Sequence, residues 1–409
     1  MIVLAWAITL LIIYSNFAGC GKRRDITPTC DMDMEKDFWI SVLLFDNTEE
    51  CTLSAETGFT VVDADINIRA HYLSQNGPIK LRLSDGRIVL GEQTFNSDLT
   101  ILPDEPFVIS VNGNPYRGNL RLIAKPDQAA ITVINTLPIE AYLKGVIGAE
   151  MPSYWEKHAL MAQTVAARTY CMFIKGRRGQ NRNWDVKKTQ ANQVYKGIKA
   201  ENPTVREAVE ETNGQVLLCK DPEGKEALFP TYYCSSCGGH TENSKNVFGD
   251  SYTSLRGVKC PYCKDVAKKN FFRWKQVTFD IANVSKKLLD RYQTLKKLEN
   301  IKTIEPADTS KYKDMVRVNS IKLTGTNGKS DYLRAEDFRL TVDPTGNRIK
   351  SNAYRFHAAK GKIRFSSGRG YGHAVGMCQC GAEAMARRSK NFIKILKFYY
   401  PDSEIVTLY

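Results

Sequence analysis

The alternation of apolar and polar positions divides the chain into stretches of different character. Residues 1–19 carry no charged side chain and are rich in Leu, Ile, Val and Ala. That is the pattern of a signal-peptide apolar core, and it is short for a spanning helix. A polar tether follows over 20–36. Short β-type runs then dominate, at 39–45, 59–62, 79–83, 88–90 and 107–111, separated by turn signals at Asn76-Gly77-Pro78, Asp85-Gly86 and Asn112-Gly113. The runs flanking Asp85-Gly86 alternate apolar and polar residues and predict a hairpin. Further strands are predicted at 120–123 and 130–134.

Helical periodicity begins at Pro138, with Glu140 in the first turn. Residues 139–150 predict a largely apolar helix, weakened by Gly145 and Gly148 and ended by Pro152. Ser153 and Glu156 have capping-box spacing, and Trp155, Ala159, Ala162, Ala166, Thr169, Tyr170 and Phe173 then share one helical face up to Gly176. A third helix is predicted from Asn202-Pro203 to Asn213-Gly214. Strands follow at 215–218 and 229–233, then a basic amphipathic helix over 281–300, and strands near 316–323. A glycine-rich loop, 368–381, leads to a final helix over 382–399. This order predicts an α+β protein. A β-rich part spans 37–129, and a mixed α/β body with a cleft spans 130–409, carrying a cysteine-rich insertion near 234–263.

Composition narrows the function classes. The 409 residues suffice for two or three domains. With 43% apolar and 25% charged residues, wholesale disorder, collagen and coiled coil are excluded. A single long apolar run excludes a polytopic membrane protein. The 58 basic against 44 acidic residues, net +14, favour an anionic partner: nucleic acid, anionic lipid or an acidic wall polymer. The export signal argues against nucleic acid. Ala18-Gly19-Cys20 resembles a bacterial lipobox, in which Cys20 would become the lipidated N-terminus; an anchor without lipid is the alternative. That leader could be cleaved or uncleaved; every version puts the bulk of the chain outside the cytoplasm, and the lipidated or uncleaved forms are membrane-anchored.

Among the 11 cysteines, Cys234, Cys237, Cys260 and Cys263 form two Cys-x-x-Cys knuckles. Each knuckle presents two thiolates to one side, and two together complete a tetrahedron for zinc, with His240 as a substitute or supporting ligand. Disulfides are the alternative in an exported protein. A zinc held by four cysteines would be structural or cleft-shaping, since no position stays open for water. Cys378 and Cys380, one residue apart, have poor knuckle spacing. Cys30, Cys51, Cys171 and Cys219 read as core or disulfide residues.

A set of ordered motifs then carries a resemblance. Glu140-Ala141-Tyr142-Leu143-Lys144-Gly145-Val146, Glu150-Met151-Pro152, Ala162-Gln163 and Ala166-Ala167-Arg168-Thr169-Tyr170 resemble the stage II sporulation protein D (SpoIID/LytB) family. The likeness continues through Gln193-Val194-Tyr195-Lys196-Gly197, Gly238-Gly239-His240-Thr241-Glu242-Asn243, Leu255-Arg256-Gly257-Val258, Gly370-Tyr371-Gly372-His373 and 395–401. It covers about two-thirds of the chain, from near Ala130 to the C-terminus. The family includes exported lytic transglycosylases that cut peptidoglycan glycan strands, notably in sporulation, and enhancers of N-acetylmuramoyl-L-alanine amidases. The resemblance implies Glu150 as catalytic acid and a zinc site beside the cleft. It implies Arg168, Tyr170, Gln193, Tyr195, Ser235, Ser236, His373 and Gln379 as substrate contacts, with Arg168 suited to a stem-peptide or lactyl carboxylate. The chain departs from the family pattern at Met161, where many members carry Lys, at Cys234, where many carry His, and at Ala374 and Cys378.

A single Glu suffices for the implied chemistry. It protonates the leaving glycosidic oxygen, the sugar's own 6-hydroxyl attacks the anomeric carbon, and a 1,6-anhydro end results. At the C-terminus of the 139–150 helix, beside Ile147 and Met151, Glu150 would have a raised pKa; facing the next helix's N-terminus it would have a lowered one. The alternative implied role is a non-catalytic, wall-binding amidase enhancer in which Glu150 is dispensable.

Overall fold

The computed structural model describes residues 38–409 except 75–76, 97, 179–181 and 222. The signal segment 1–19, the tether, Cys20 and Cys30 lie outside the described residues. Among those described, no helix is long and apolar enough to cross a membrane.

The architecture is α+β, with a β-rich N-terminal part. A seven-stranded sheet runs in the order Val186–Lys187, Trp39–Thr48, Ala130–Pro138, Asn119–Lys125, Leu99–Pro103, Gly58–Asp63, Ile68–Leu73. A six-stranded sheet faces it, built from Asn114–Arg117, Val108–Val111, Glu50–Ser54, Ile79–Ser84, Arg87–Leu90 and Gln93–Phe95. The predicted hairpin closes on Asp85 and Gly86, both at positive φ, as a two-residue turn of the primed type requires. Alternate residues such as Ile79, Leu81, Ile88 and Leu90 point inward from these strands and share one apolar core with the helices that follow. The strand Ala130–Pro138, buried over most of its length, runs from this sheet directly into the Ile139–Glu150 helix.

Two helices that pack on each other share this core. Ile139–Glu150 has the bounds its flanking prolines predict. Its glycines are explained by packing rather than flexibility. A Cβ on Gly145 would lie 2.5 Å from the Tyr195 ring, and one on Gly148 would lie 2.1 Å from the Ala200 carbonyl oxygen. Their bareness lets the 193–200 segment lie on the helix. The Lys157–Arg178 helix starts later than the Ser153–Glu156 box predicts, because 152–155 close a turn through Trp155 N–H to Pro152 O. It also runs through Gly176, where a Cβ would meet nothing within 4 Å, so the glycine costs only propensity.

The remainder differs in its breaks. The predicted third helix starts at Pro203, where the Asn202 side chain caps it by accepting from Val205 N–H, and ends at Glu211, short of Asn213-Gly214. The 281–300 stretch is an α-helix only over Ile281–Arg291; Tyr292 turns extended and a 3-10 segment, Gln293–Leu298, follows. The final stretch splits into Gln379–Ala386 and Phe392–Tyr399 around a reversal at Ser389, which has positive φ. Residues 229–232 stay outside regular structure, and only Tyr233–Cys234 pairs, in parallel with Met377–Cys378. A second seven-stranded sheet, including Ile301–Tyr312, Met315–Gly325, Ala353–Ala359 and Lys362–Arg369, packs on its own apolar cluster around Phe338, Tyr354 and Phe365.

Candidate functional site

Glu150 closes the Ile139–Glu150 helix, with the buried Ile147 and Met151 beside it. The 193–200 segment that the two glycines admit brings the Val194 N–H to its Oε1, at 2.7 Å. Gln379 supplies a second, side-chain hydrogen bond. Burial outweighs both donors and pushes the Glu150 carboxyl up from 4.5 to about 6. The dominant cause is therefore desolvation, as its apolar neighbours suggest. No carboxylate among the described residues adds to the shift.

Glutamines and tyrosines hold this carboxyl's surroundings. Gln193 is buried; its amide nitrogen donates to Ala167 O at 3.2 Å and meets the Tyr233 hydroxyl at 3.1 Å, while its oxygen accepts from Tyr142 at 3.1 Å. Gln379 donates to Gln163 at 3.4 Å, and the buried Gln163 amide nitrogen has no partner. Tyr142, Tyr233 and Gln163 were not among the residues predicted for the site. Gln163 and Tyr142 belong to the family motifs without an assigned role, and Tyr233 carries no distinguishing local pattern.

The other predicted contacts fall in two groups. Arg168 is fully buried. It grips both Glu140 oxygens at 2.6 and 2.7 Å and donates to Gln215 O at 3.0 Å, so it is spent on the fold rather than on a ligand carboxylate. Tyr195 is likewise buried, its hydroxyl donating to Asn135 at 2.8 Å. His373 is a loop pin. Its Nδ1 accepts from Val375 N–H at 3.0 Å, the Tyr233 backbone bonds the ring, and burial pushes its pKa down to about 4, leaving the imidazole neutral. Tyr170 takes an amide hydrogen bond from Asn192 at 3.5 Å. The Ser235 carbonyl accepts from Cys380 N–H, and the Ser236 backbone bridges to Tyr371 while its buried hydroxyl has no partner. Of the eight, Gln379 bonds Glu150 itself and Gln193 adjoins Val194.

The cysteines converge, with one exchange. The Sγ atoms of Cys237, Cys260, Cys263 and Cys378 all lie within 4.8 Å of one another, and Cys237 and Cys263 are 3.7 Å apart. The knuckle reading is corrected here: Cys378 replaces Cys234. The parallel pairing of Tyr233–Cys234 with Met377–Cys378 aligns the two residues, and only Cys378 reaches the other three. His240 is not a member; its Nδ1 contacts Thr241 O at 2.6 Å and its ring stacks on Tyr312. The donor set fits a metal. Four thiolates at about 2.3 Å from one ion stand about 3.8 Å apart. The Cys237 N–H also points at Cys378 Sγ, at 3.2 Å, and the Tyr399 hydroxyl lies 3.2 Å from Cys260 Sγ. Neighbouring thiol hydrogen bonds hold Cys260 well below the usual thiol range. None of the nine described cysteines forms a disulfide. Cys378 directly precedes Gln379, so the cluster anchors the strand that delivers Gln379 to Glu150.

Comparison with known proteins follows the same motifs. The model of the stage II sporulation protein family, SpoIID, matches residues 127–218, which span both helices and Glu150. An uncharacterized protein of Brachyspira hyodysenteriae is 36% identical over 299 residues, 73% of this chain and 74% of the relative. The amidase enhancer of Bacillus subtilis is 29% identical over 94% of this chain, which spans 57% of that relative's length. Stage II sporulation protein D of Bacillus subtilis is 27% identical, over 66% of this chain and 75% of the relative.

Proposed function

The chain belongs to the SpoIID/LytB family, and from that premise we propose that it is an exported lytic transglycosylase. It would cut peptidoglycan glycan strands, after their peptides are removed, to 1,6-anhydro-muramoyl ends. The observation that carries this reading is the state of Glu150: one partly buried carboxyl, raised to about 6 by desolvation, with no carboxylate of the described residues contributing to that shift. A retaining or inverting hydrolase needs a partner carboxylate within about 5–10 Å. A lone acid suits an intramolecular attack by the 6-hydroxyl. At neutral pH about a tenth of the molecules carry the proton. Glu150 gives it to the leaving oxygen and, as carboxylate, takes the proton of the attacking hydroxyl. The Val194 N–H and Gln379 steady the carboxylate between the two transfers.

Zinc belongs to the same proposal. Cys237, Cys260, Cys263 and Cys378 would hold it, and a full set of four thiolates makes it structural. Export, attachment through Cys20 and encounter with an amidase complete the reading. The Bacillus subtilis amidase enhancer, aligned over 94% of this chain, favours a second reading in which the fold binds wall and stimulates an amidase without cutting glycan. The test is incubation of the protein with purified peptidoglycan, with and without prior amidase digestion, followed by mass analysis. Anhydro-ended fragments support the first reading. Intact glycan with faster peptide release by an added amidase supports the second.

A further inference from the structure

A cavity of about 570 Å³ opens on the second seven-stranded sheet, away from the residues around Glu150. Arg273, Lys313, Arg355 and Arg369 line it, together with Trp274 and Tyr354. The sole acidic residue of its lining is Asp314. None of the four cations forms an ion pair with a described residue, whereas Arg317, Arg334 and Arg339 of the same part of the chain each face a carboxylate. The aromatic wall is unfinished too. Trp274 and Tyr354 are 5% and 3% exposed, yet the indole N–H and the phenol hydroxyl have no hydrogen-bond partner. Buried donors left unpaired are costly, and unspent guanidinium groups match carboxylates in bidentate fashion. The indole is fixed in place: it lies on bare Gly368, where a Cβ would come within 2.0 Å of it.

Size, charge and aromatic lining together describe a site for an anionic saccharide. In peptide-bearing peptidoglycan the lactyl group of the muramoyl sugar is tied up as an amide. Removal of the peptide leaves it as a free carboxylate on every muramoyl residue. Arg168, the cation the sequence offered for that group, is consumed by Glu140 and Gln215. We infer that this cavity is a recognition site for the free lactyl carboxylate of peptide-stripped glycan. The inference rests on the glycan-cleaving reading above. The same chain segment connects the two places: Arg369 lines the cavity and Gln379, ten positions on, bonds Glu150. A strand held by its carboxylates here is selected by whether an amidase has already acted on it.

The test measures binding, so it is independent of cleavage. Full-length protein carrying Glu150→Gln is titrated with three probes: amidase-treated glycan oligomers, the same oligomers with their carboxylates converted to amides, and a glycerol-phosphate oligomer. The free-carboxylate glycan is expected to bind about tenfold more tightly than the amide form. Arg273→Gln with Arg355→Gln should erase that difference, and Tyr354→Phe should reduce it. Lys286→Gln with Lys397→Gln, which removes the same charge at exposed sites elsewhere, should leave it intact. Equal affinity for carboxylate and amide glycan overturns the proposal. So does equal weakening by the Lys286/Lys397 pair, and so does tighter binding of the phosphate oligomer through the same arginines. If cleavage is absent but the carboxylate preference survives, the pocket stands and the catalytic reading falls.

Discussion

Replacing Glu150 by Gln should stabilise the protein at neutral pH while removing its acid. The carboxyl sits where ionisation is penalised, raised from 4.5 to about 6 by burial. A group raised by about 1.5 units costs the folded state about 2 kcal/mol once it is fully ionised. Partial exposure makes that figure an upper bound. The sign follows from proton counting. Between pH 4.5 and about 6 the folded chain keeps a proton that the unfolded chain has lost, so stability falls as pH rises through this window. Glutamine copies the protonated form and retains an oxygen for the Val194 N–H. Urea unfolding of wild type and Glu150→Gln, from pH 4 to pH 8, reads the difference. The two should coincide near pH 4 and diverge to about 1–2 kcal/mol in favour of glutamine above pH 7. A wild type more stable than Glu150→Gln at pH 8 would refute the reasoning, because it would mean that the fold stabilises the carboxylate.

Three further outcomes follow from the geometry. Purified protein should contain about one zinc per chain; Cys378→Ser should lose it, whereas Cys234→Ser should keep it, as read by metal analysis. Gly148→Ala drives a methyl group into the Ala200 carbonyl and should cost about 1–3 kcal/mol in chemical denaturation, with loss of glycan cleavage as the 193–200 segment lifts from Glu150. Arg168→Met strands the Glu140 carboxylate and should destabilise by about 3–5 kcal/mol in the same assay.

Much of this arrangement could be read before the structure, and the exceptions share a cause. The Ile139–Glu150 helix was legible because Pro138 and Pro152 bracket it, and the Asp85-Gly86 hairpin because its turn chemistry is local. The breaks at Tyr292 and Ser389 were not: both interrupt good helical periodicity, and the reversal is set by what each half packs against. The metal set shows the same division. Three ligands come from knuckles visible as spacing. The fourth, Cys378, arrives 141 positions after Cys237 through a two-residue parallel pairing that has no sequence signal. Arg168 was visible as a cation in a motif, but its partner Glu140 lies on the preceding helix, 28 positions earlier. The cavity cations Arg273, Arg355 and Arg369 were invisible for a related reason. They stand on different strands or turns, and only the register of the sheet gathers them.

The most direct measurement is the chemistry of the new glycan ends. Amidase-treated peptidoglycan is incubated with wild type and with Glu150→Gln, both verified as folded, and the fragments are weighed by mass spectrometry. The account predicts 1,6-anhydro-muramoyl ends from wild type and none from Glu150→Gln. Anhydro ends from Glu150→Gln at the wild-type rate, or hydrolytic reducing ends from wild type, would contradict it.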